Sequence, residues 1–193
     1  MIEPPKLIFY FYQLYQPLFD DMKEIFGDKI RFIQGAPSDR QIEDIIEQPI
    51  KPCAVVLDDM QQSLGRTIVN LFQAGSHHGR VSVLLLVQCL FDRSSPHMRS
   101  LSSSATNYIL TKSPRDQTQI HHLGRQIWPG RGGDFVKVFQ EATKKAYSCL
   151  HIDFTQTCPD FLRMKSNLFR DELPVKCWVL EHEMQKHISQ SEL

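Results

Sequence analysis

The chain has 193 residues, with 22 Lys plus Arg against 22 Asp plus Glu and a formal net charge of +0. That balance excludes a whole-molecule field that would gather nucleic acid, so any DNA contact has to come from a local patch. A chain of this length fits one domain able to bury about 70% of its unfolded surface, and its longest apolar run, VSVLLLV from Val81 to Val87, is too short to span a bilayer.

Short apolar runs alternate with segments of helical period, the pattern of an α/β sheet whose parallel strands are joined by crossover helices. Lys6 to Tyr12 (KLIFYFY) reads as a strand, and Pro17 to Phe26 as a helix with Leu18, Met22, Ile25 and Phe26 on its inner face and Gly27 ending it. IRFIQG from Ile30 is the next strand. Ser38 then caps a helix with Ile42, Ile45 and Ile46 as its buried stripe and Pro49 just past its end. A strand running into Asp58 follows, then a helix over about Gln62 to Ala74 and the strand VSVLLLVQ, expected to be buried on both faces. DRSSPHMRSLSSS, Asp92 to Ser104, reads as an exposed loop or short helix. Beyond it come a strand NYILTK, a helix with Ile120, Leu123 and Ile127 inward, a second helix in GDFVKVFQEATKK and a last strand YSCLHIDF. These elements make one domain over residues 1–180, with a polar tail over 181–193.

The chemistry concentrates at two strand ends. Ligands of open parallel sheets collect beyond the carboxyl ends of the strands, and KPCAVVLDDM delivers Asp58 and Asp59 to such an end. One carboxylate there can anchor a hydrated Mg²⁺, and its neighbour can orient or deprotonate a water. The plainer alternative is one Asp capping the next helix and the other facing solvent. Gln88 ends the following strand, so an amide able both to donate and to accept projects from the same edge. Arg80 precedes that strand and so lies at the opposite edge, where it can serve a neighbouring subunit or simply be solvated.

Other groups carry less. The five cysteines are odd in number and dispersed, as in reduced thiols of an intracellular compartment, and read as core filler. Cys177, His182 and His187 are spaced five apart, which on a helix scatters them around the axis, so no zinc is expected. Of His121 and His122, one is expected to pack and one to be exposed. Arg93, Arg99, Lys112 and Arg115 surround the serine-rich segment as a candidate phosphate-contacting cluster. A Mg²⁺ nuclease using Asp58, Asp59 and Asp153 is a poorer reading, because no third acid obviously converges.

The order VVLDDM, GSHHGRVSVLLLVQCLF, NYILTKSPRDQTQIHHLGRQI resembles the DNA-packaging ATPases of large DNA viruses and Maverick-type elements, in the FtsK/HerA division of P-loop ATPases. The resemblance covers about Ile2 to Phe169, and its most specific blocks are SHHGR and KSPRDQTQI. It implies a RecA-like, mainly parallel sheet. It implies Asp58 as the Walker B magnesium residue, Asp59 as the hydrolytic carboxylate, Gln88 as the sensor and Arg80 as an arginine finger. ATP and Mg²⁺ are the implied cofactors, and the implied activity is translocation of double-stranded DNA by a homo-oligomeric ring. The chain departs from the family in having no G-x-x-x-x-G-K-[ST] stretch; WPGRGGD lacks the Lys-Ser/Thr ending and reads as a turn. The phosphate-loop strand, central in the family and beside the Gln88 strand, is therefore expected to be missing. Its loss would bare the edge of VSVLLLV or force that strand against NYILTK, unless a partner chain supplies the missing strand. The expected protein is a truncated or degenerate ATPase core, or a noncatalytic interaction protein derived from one.

Overall fold

The computed structural model describes residues 3–63, 65–75, 80–92, 95–112, 114, 117–169 and 174–179. The chain divides into two compact units, Met1–Ser104 and Ala105–Leu193; the tail expected over 181–193 lies outside the described residues.

Branched and aromatic residues suit a pleated, buried surface. In the first unit they form Leu7–Tyr12 (β1), Ile30–Gln34 (β2), Cys53–Asp58 (β3) and Val81–Leu86 (β4). The strands pair in parallel in the order β2-β1-β3-β4. Between them run Leu18–Phe26 (α1), Asp39–Glu47 (α2) and Arg66–Asn70 (α3), and Met98–Ser104 (α4) follows β4. Ser38 caps α2 as expected: its hydroxyl accepts from the Gln41 amide while the Gln41 side chain accepts from the Ser38 amide.

Alternation along the strands sorts the core into two layers. Leu7, Phe9, Phe11, Val55, Leu57 and Val81 pack with Ile42 and Ile45 of α2, Ile68 and Val69 of α3, and Met98 and Leu101 of α4. The opposite face, with Tyr10 and Val56, packs against Phe19 of α1 and Ile30 and Phe32 of β2. Movement from β1 to β2 carries its helix on one face and the reverse movement from β2 to β3 carries its helix on the other, as right-handed crossovers require.

Several expectations are corrected here. The inner residue of α1 is Phe19, stacked on Phe32 at 4.8 Å and tilted against Tyr10 and Tyr12; Met22 packs partly against the same cluster as expected, while Leu18 and Ile25 stay exposed on one flank and Phe26 is 39% exposed at the helix end. The segment expected as one helix over Gln62 to Ala74 is a 3-10 turn at Gln61–Ser63, then α3, then a π turn at Leu71–Gly75, the break coming at Gly65 in extended backbone. The serine-rich excursion takes the short-helix alternative, and it is not wholly exposed, since α4 drives Met98 and Leu101 into the core. β4 is buried on one face only, because among the described residues no helix covers the other.

The second unit contains Asn107–Thr111 (β5), Gln117–Ile127 (α5), Gly132–Ala142 (α6), Cys149–Asp153 (β6), Met164–Ser166 (β7) and Lys176–Cys177 (β8). Its strands are antiparallel in the order β5-β6-β7-β8, so parallel pairing extends to four strands and not to these. β7 and β8 have no counterpart in the sequence reading, being two- and three-residue strands without an apolar period. Ile120, Leu123, Phe135, Phe139, Leu150 and Ile152 are buried at its core.

Candidate functional site

The site is built at the carboxyl edge of the parallel sheet. Register sets Tyr12 against Asp58 on one side and Leu86 against Asp58 on the other, so the carboxylate ends an inner strand between two neighbours. Asp58 is half-buried and Asp59 exposed. The Asp59 backbone turns to φ 54°, in the left-handed region that Asp tolerates better than most residues, while its amide donates to the Leu86 carbonyl at 3.3 Å. Gln88, two residues beyond β4, donates from Nε2 to Oδ1 of Asp59 at 3.2 Å. The two carboxylates and the amide singled out in the sequence thus come together across two adjacent strands.

Sequence reasoning missed the groups that hold this edge in place. Tyr10, buried in β1, donates its hydroxyl to Oδ2 of Asp58 at 3.0 Å; burial first and the Asp58 carboxylate second push its phenol up to about 12. Gln61 donates to the Cys89 carbonyl at 3.1 Å and so ties the chain after β3 to the chain after β4. Gln13 donates to Oγ of Ser63 at 3.2 Å, and Gln34 to the Gln13 carbonyl at 3.4 Å. Amide side chains thereby link the loops that leave all four strands. Parallel register with period-2 alternation would have found Tyr10, which shares a face with Asp58; nothing in the sequence pairs Gln61 with Cys89.

Arg80 stands at the opposite edge, as its place before β4 requires. Its guanidinium pairs with Oε2 of Glu3 at 2.7 Å, both side chains being largely exposed. The Glu3 carboxyl is held below its ordinary value first by Lys6 and then by Arg80. The whole of β4, about 20 Å of strand, separates Arg80 from Gln88 within one chain.

The remaining candidates do not assemble. His121 and His122 are both exposed. Cys177 sits in β8 and not on a helix, while His182 and His187 lie outside the described residues. Among the described residues no three His, Cys, Asp or Glu side chains converge on a common point. Arg99 is exposed on α4 and Lys112 is exposed after β5, in different units; Arg93 and Arg115 lie outside the described residues. Asp153 belongs to the second unit, where its carboxylate accepts from the Thr155 amide at 2.9 Å and from the Thr155 hydroxyl at 2.6 Å.

The donor chemistry at Asp58 and Asp59 fits a Mg²⁺ ion that keeps most of its waters, since such an ion needs only one or two protein carboxylates. The triphosphate is a different matter: the sequence contains no glycine-rich loop ending in Lys-Ser/Thr to cradle it. Among the described residues no helix is long and apolar enough to cross a membrane. Comparisons with protein-family models, with curated proteins and with solved structures find no match to this chain.

Proposed function

We propose that the chain is the core of a DNA-packaging or translocase ATPase of the FtsK/HerA division, RecA-like in fold and lacking the segment that cradles the phosphates. The observation that carries this reading is the Gln88 to Asp59 hydrogen bond beside Asp58, at the carboxyl edge of two adjacent parallel strands. In it Asp58 holds a hydrated Mg²⁺, Asp59 orients and deprotonates the attacking water, and the Gln88 amide reads the state of the phosphate. Arg80 serves the site of a neighbouring subunit, which is supported by its place at the far edge of its own sheet. Double-stranded DNA and further copies of the chain are the partners this reading calls for, in an intracellular, reducing setting that suits its cysteines, all of which are thiols. Without the cradle the chain alone is weakly active or inactive. Hydrolysis of ATP by the chain and by Asp59→Asn is the test: a weak Mg²⁺-dependent rate that Asp59→Asn abolishes supports a native site, and a measurable rate that Asp59→Asn leaves unchanged rejects one.

A second reading is favoured by β4, which among the described residues pairs with β3 alone: a noncatalytic interaction protein derived from such an ATPase, using its sheet to bind a partner chain. Leu84 and Leu86 are each 43% exposed on the strand that ends the sheet, an edge that invites pairing.

A further inference from the structure

Each carboxylate of the strand-end pair is tied by a neutral donor through one of its two oxygens. Oδ2 of Asp58 accepts from the Tyr10 hydroxyl at 3.0 Å, and Oδ1 of Asp59 accepts from the Gln88 amide at 3.2 Å. The ion pairs among the described residues lie elsewhere, at Glu3, Asp134, Glu141 and Asp160. The pair is therefore oriented without being neutralised, and its charge is left for a cation from solution.

The two donors differ in how firmly they are held. Gln88 is exposed beyond the end of β4, where its side chain is free to turn. Tyr10 is buried, its ring centroid 5.3 Å from that of Phe19 and 5.2 Å from that of Phe32, with Val56 in the same cluster. Parallel register sets Tyr10 opposite Val56 and Tyr12 opposite Asp58, so by period-2 alternation Tyr10 and Asp58 share a face of the sheet. The phenol runs along that face from the core to the carboxylate. Packing of the ring fixes where its oxygen stands, and so fixes Asp58 more strictly than an exposed amide fixes Asp59.

We propose that Tyr10 is a positioning residue that makes Asp58 a one-oxygen ligand and thereby sets the cation preference of this strand end, Mg²⁺ over Ca²⁺. The inference rests on the metal reading of Asp58 given above and deepens it. Mg²⁺ demands near-ideal octahedral geometry, keeps several waters and is satisfied by single carboxylate oxygens, whereas Ca²⁺ gathers more oxygens and often takes both from one carboxylate. A hydroxyl donating to Oδ2 competes for the lone pairs of that oxygen and opposes its use as a second ligand. That loss falls on Ca²⁺ and spares Mg²⁺. Without the hydroxyl the Asp58 carboxylate turns and offers both oxygens, and the discrimination fades. Hydrogen-bond partners of metal ligands ordinarily carry about 10–100-fold in affinity, enough to decide between two ions of equal charge.

The test is competition for Mn²⁺ bound to the whole chain, followed by paramagnetic water relaxation, with Mg²⁺ or Ca²⁺ as the competitor. Wild type, Tyr10→Phe, Phe19→Leu and Asp58→Asn are compared, and circular dichroism checks that each is folded. Wild type should release Mn²⁺ to Mg²⁺ more readily than to Ca²⁺. Tyr10→Phe keeps the ring and its packing, and should move that preference toward Ca²⁺ by about tenfold. Phe19→Leu loosens the same aromatic cluster but keeps the hydroxyl, so it should lower the melting temperature and hold the wild-type preference. An unchanged preference in Tyr10→Phe, or an equal shift in Phe19→Leu, overturns the proposal; if Asp58→Asn still loses Mn²⁺, the metal reading survives it. Mn²⁺ binding indifferent to Asp58→Asn overturns both. The Tyr10→Phe shift in a chain whose Mn²⁺ binding ATP does not strengthen leaves the selectivity standing and rejects the nucleotide site.

Discussion

The Tyr10 hydroxyl joins the core to the chemistry, because the ring sits among Phe19, Phe32 and Val56 while the oxygen bonds Asp58. Removing that bond in Tyr10→Phe should cost about 1 kcal/mol of stability. The cost should depend on pH with a definite sign. The phenol's ordinary value is 10.0 and folding pushes it up to about 12, so folding favours its protonated form; the stabilisation is complete below pH 10 and is lost as pH rises toward 12. Denaturant unfolding of wild type and Tyr10→Phe across that window should show the difference between them shrinking. Tyr15, whose hydroxyl bonds Asp20, is also pushed up to about 12, so the single variant removes only part of the alkaline dependence of the whole chain. A constant difference between the two proteins across the window would mean that neither burial nor Asp58 raises the Tyr10 phenol. The strand-end carboxylates were legible as residue types in a recognisable place. Their clamp was not, because a phenol two positions inside an apolar run reads as core until the register of its neighbour is known.

At the scale of elements, periodicity located nearly every strand and helix and misjudged which faces are covered. The apolar stripe on α1 is real, and Phe19, about two turns before Phe26 on the same side of the helix, is the residue that enters the aromatic cluster with Met22 packed partly beside it. β4 is as apolar as a strand covered on both faces, but coverage depends on what lies above it, which its own sequence does not contain. Close packing was equally invisible. Gly124 on α5 faces Phe135 of α6, and a Cβ there would come within 2.7 Å of the Phe135 side chain. Because Phe135 is fully buried, the ring has little room to move. Gly124→Ala should therefore destabilise the second unit by about 1–3 kcal/mol, even though alanine is the better helix former. Thermal or denaturant unfolding showing a gain in stability would mean that α5 and α6 do not approach so closely.

Across the whole molecule, the α/β class and the placing of Asp58, Asp59 and Gln88 on neighbouring strand ends could be read from the order of apolar runs. The division into two units with separate sheets could not, because β5 is as strand-like as β4 and nothing local says that it pairs antiparallel with β6. The neutral charge leaves no long-range field to identify a ligand, so any ligand is recognised by short-range chemistry at one edge of one sheet. On the proposed reading Asp58, supported by Tyr10 and flanked by Asp59 and Gln88, holds the metal of a nucleotide site. The most direct measurement is Mn²⁺ binding followed by paramagnetic water relaxation, with and without ATP, in wild type, Asp58→Asn and Arg80→Ala. Weak Mn²⁺ binding is expected, strengthened by ATP, lost in Asp58→Asn and kept in Arg80→Ala. Identical titrations for wild type and Asp58→Asn, or no Mn²⁺ binding by wild type at all, would contradict that reading.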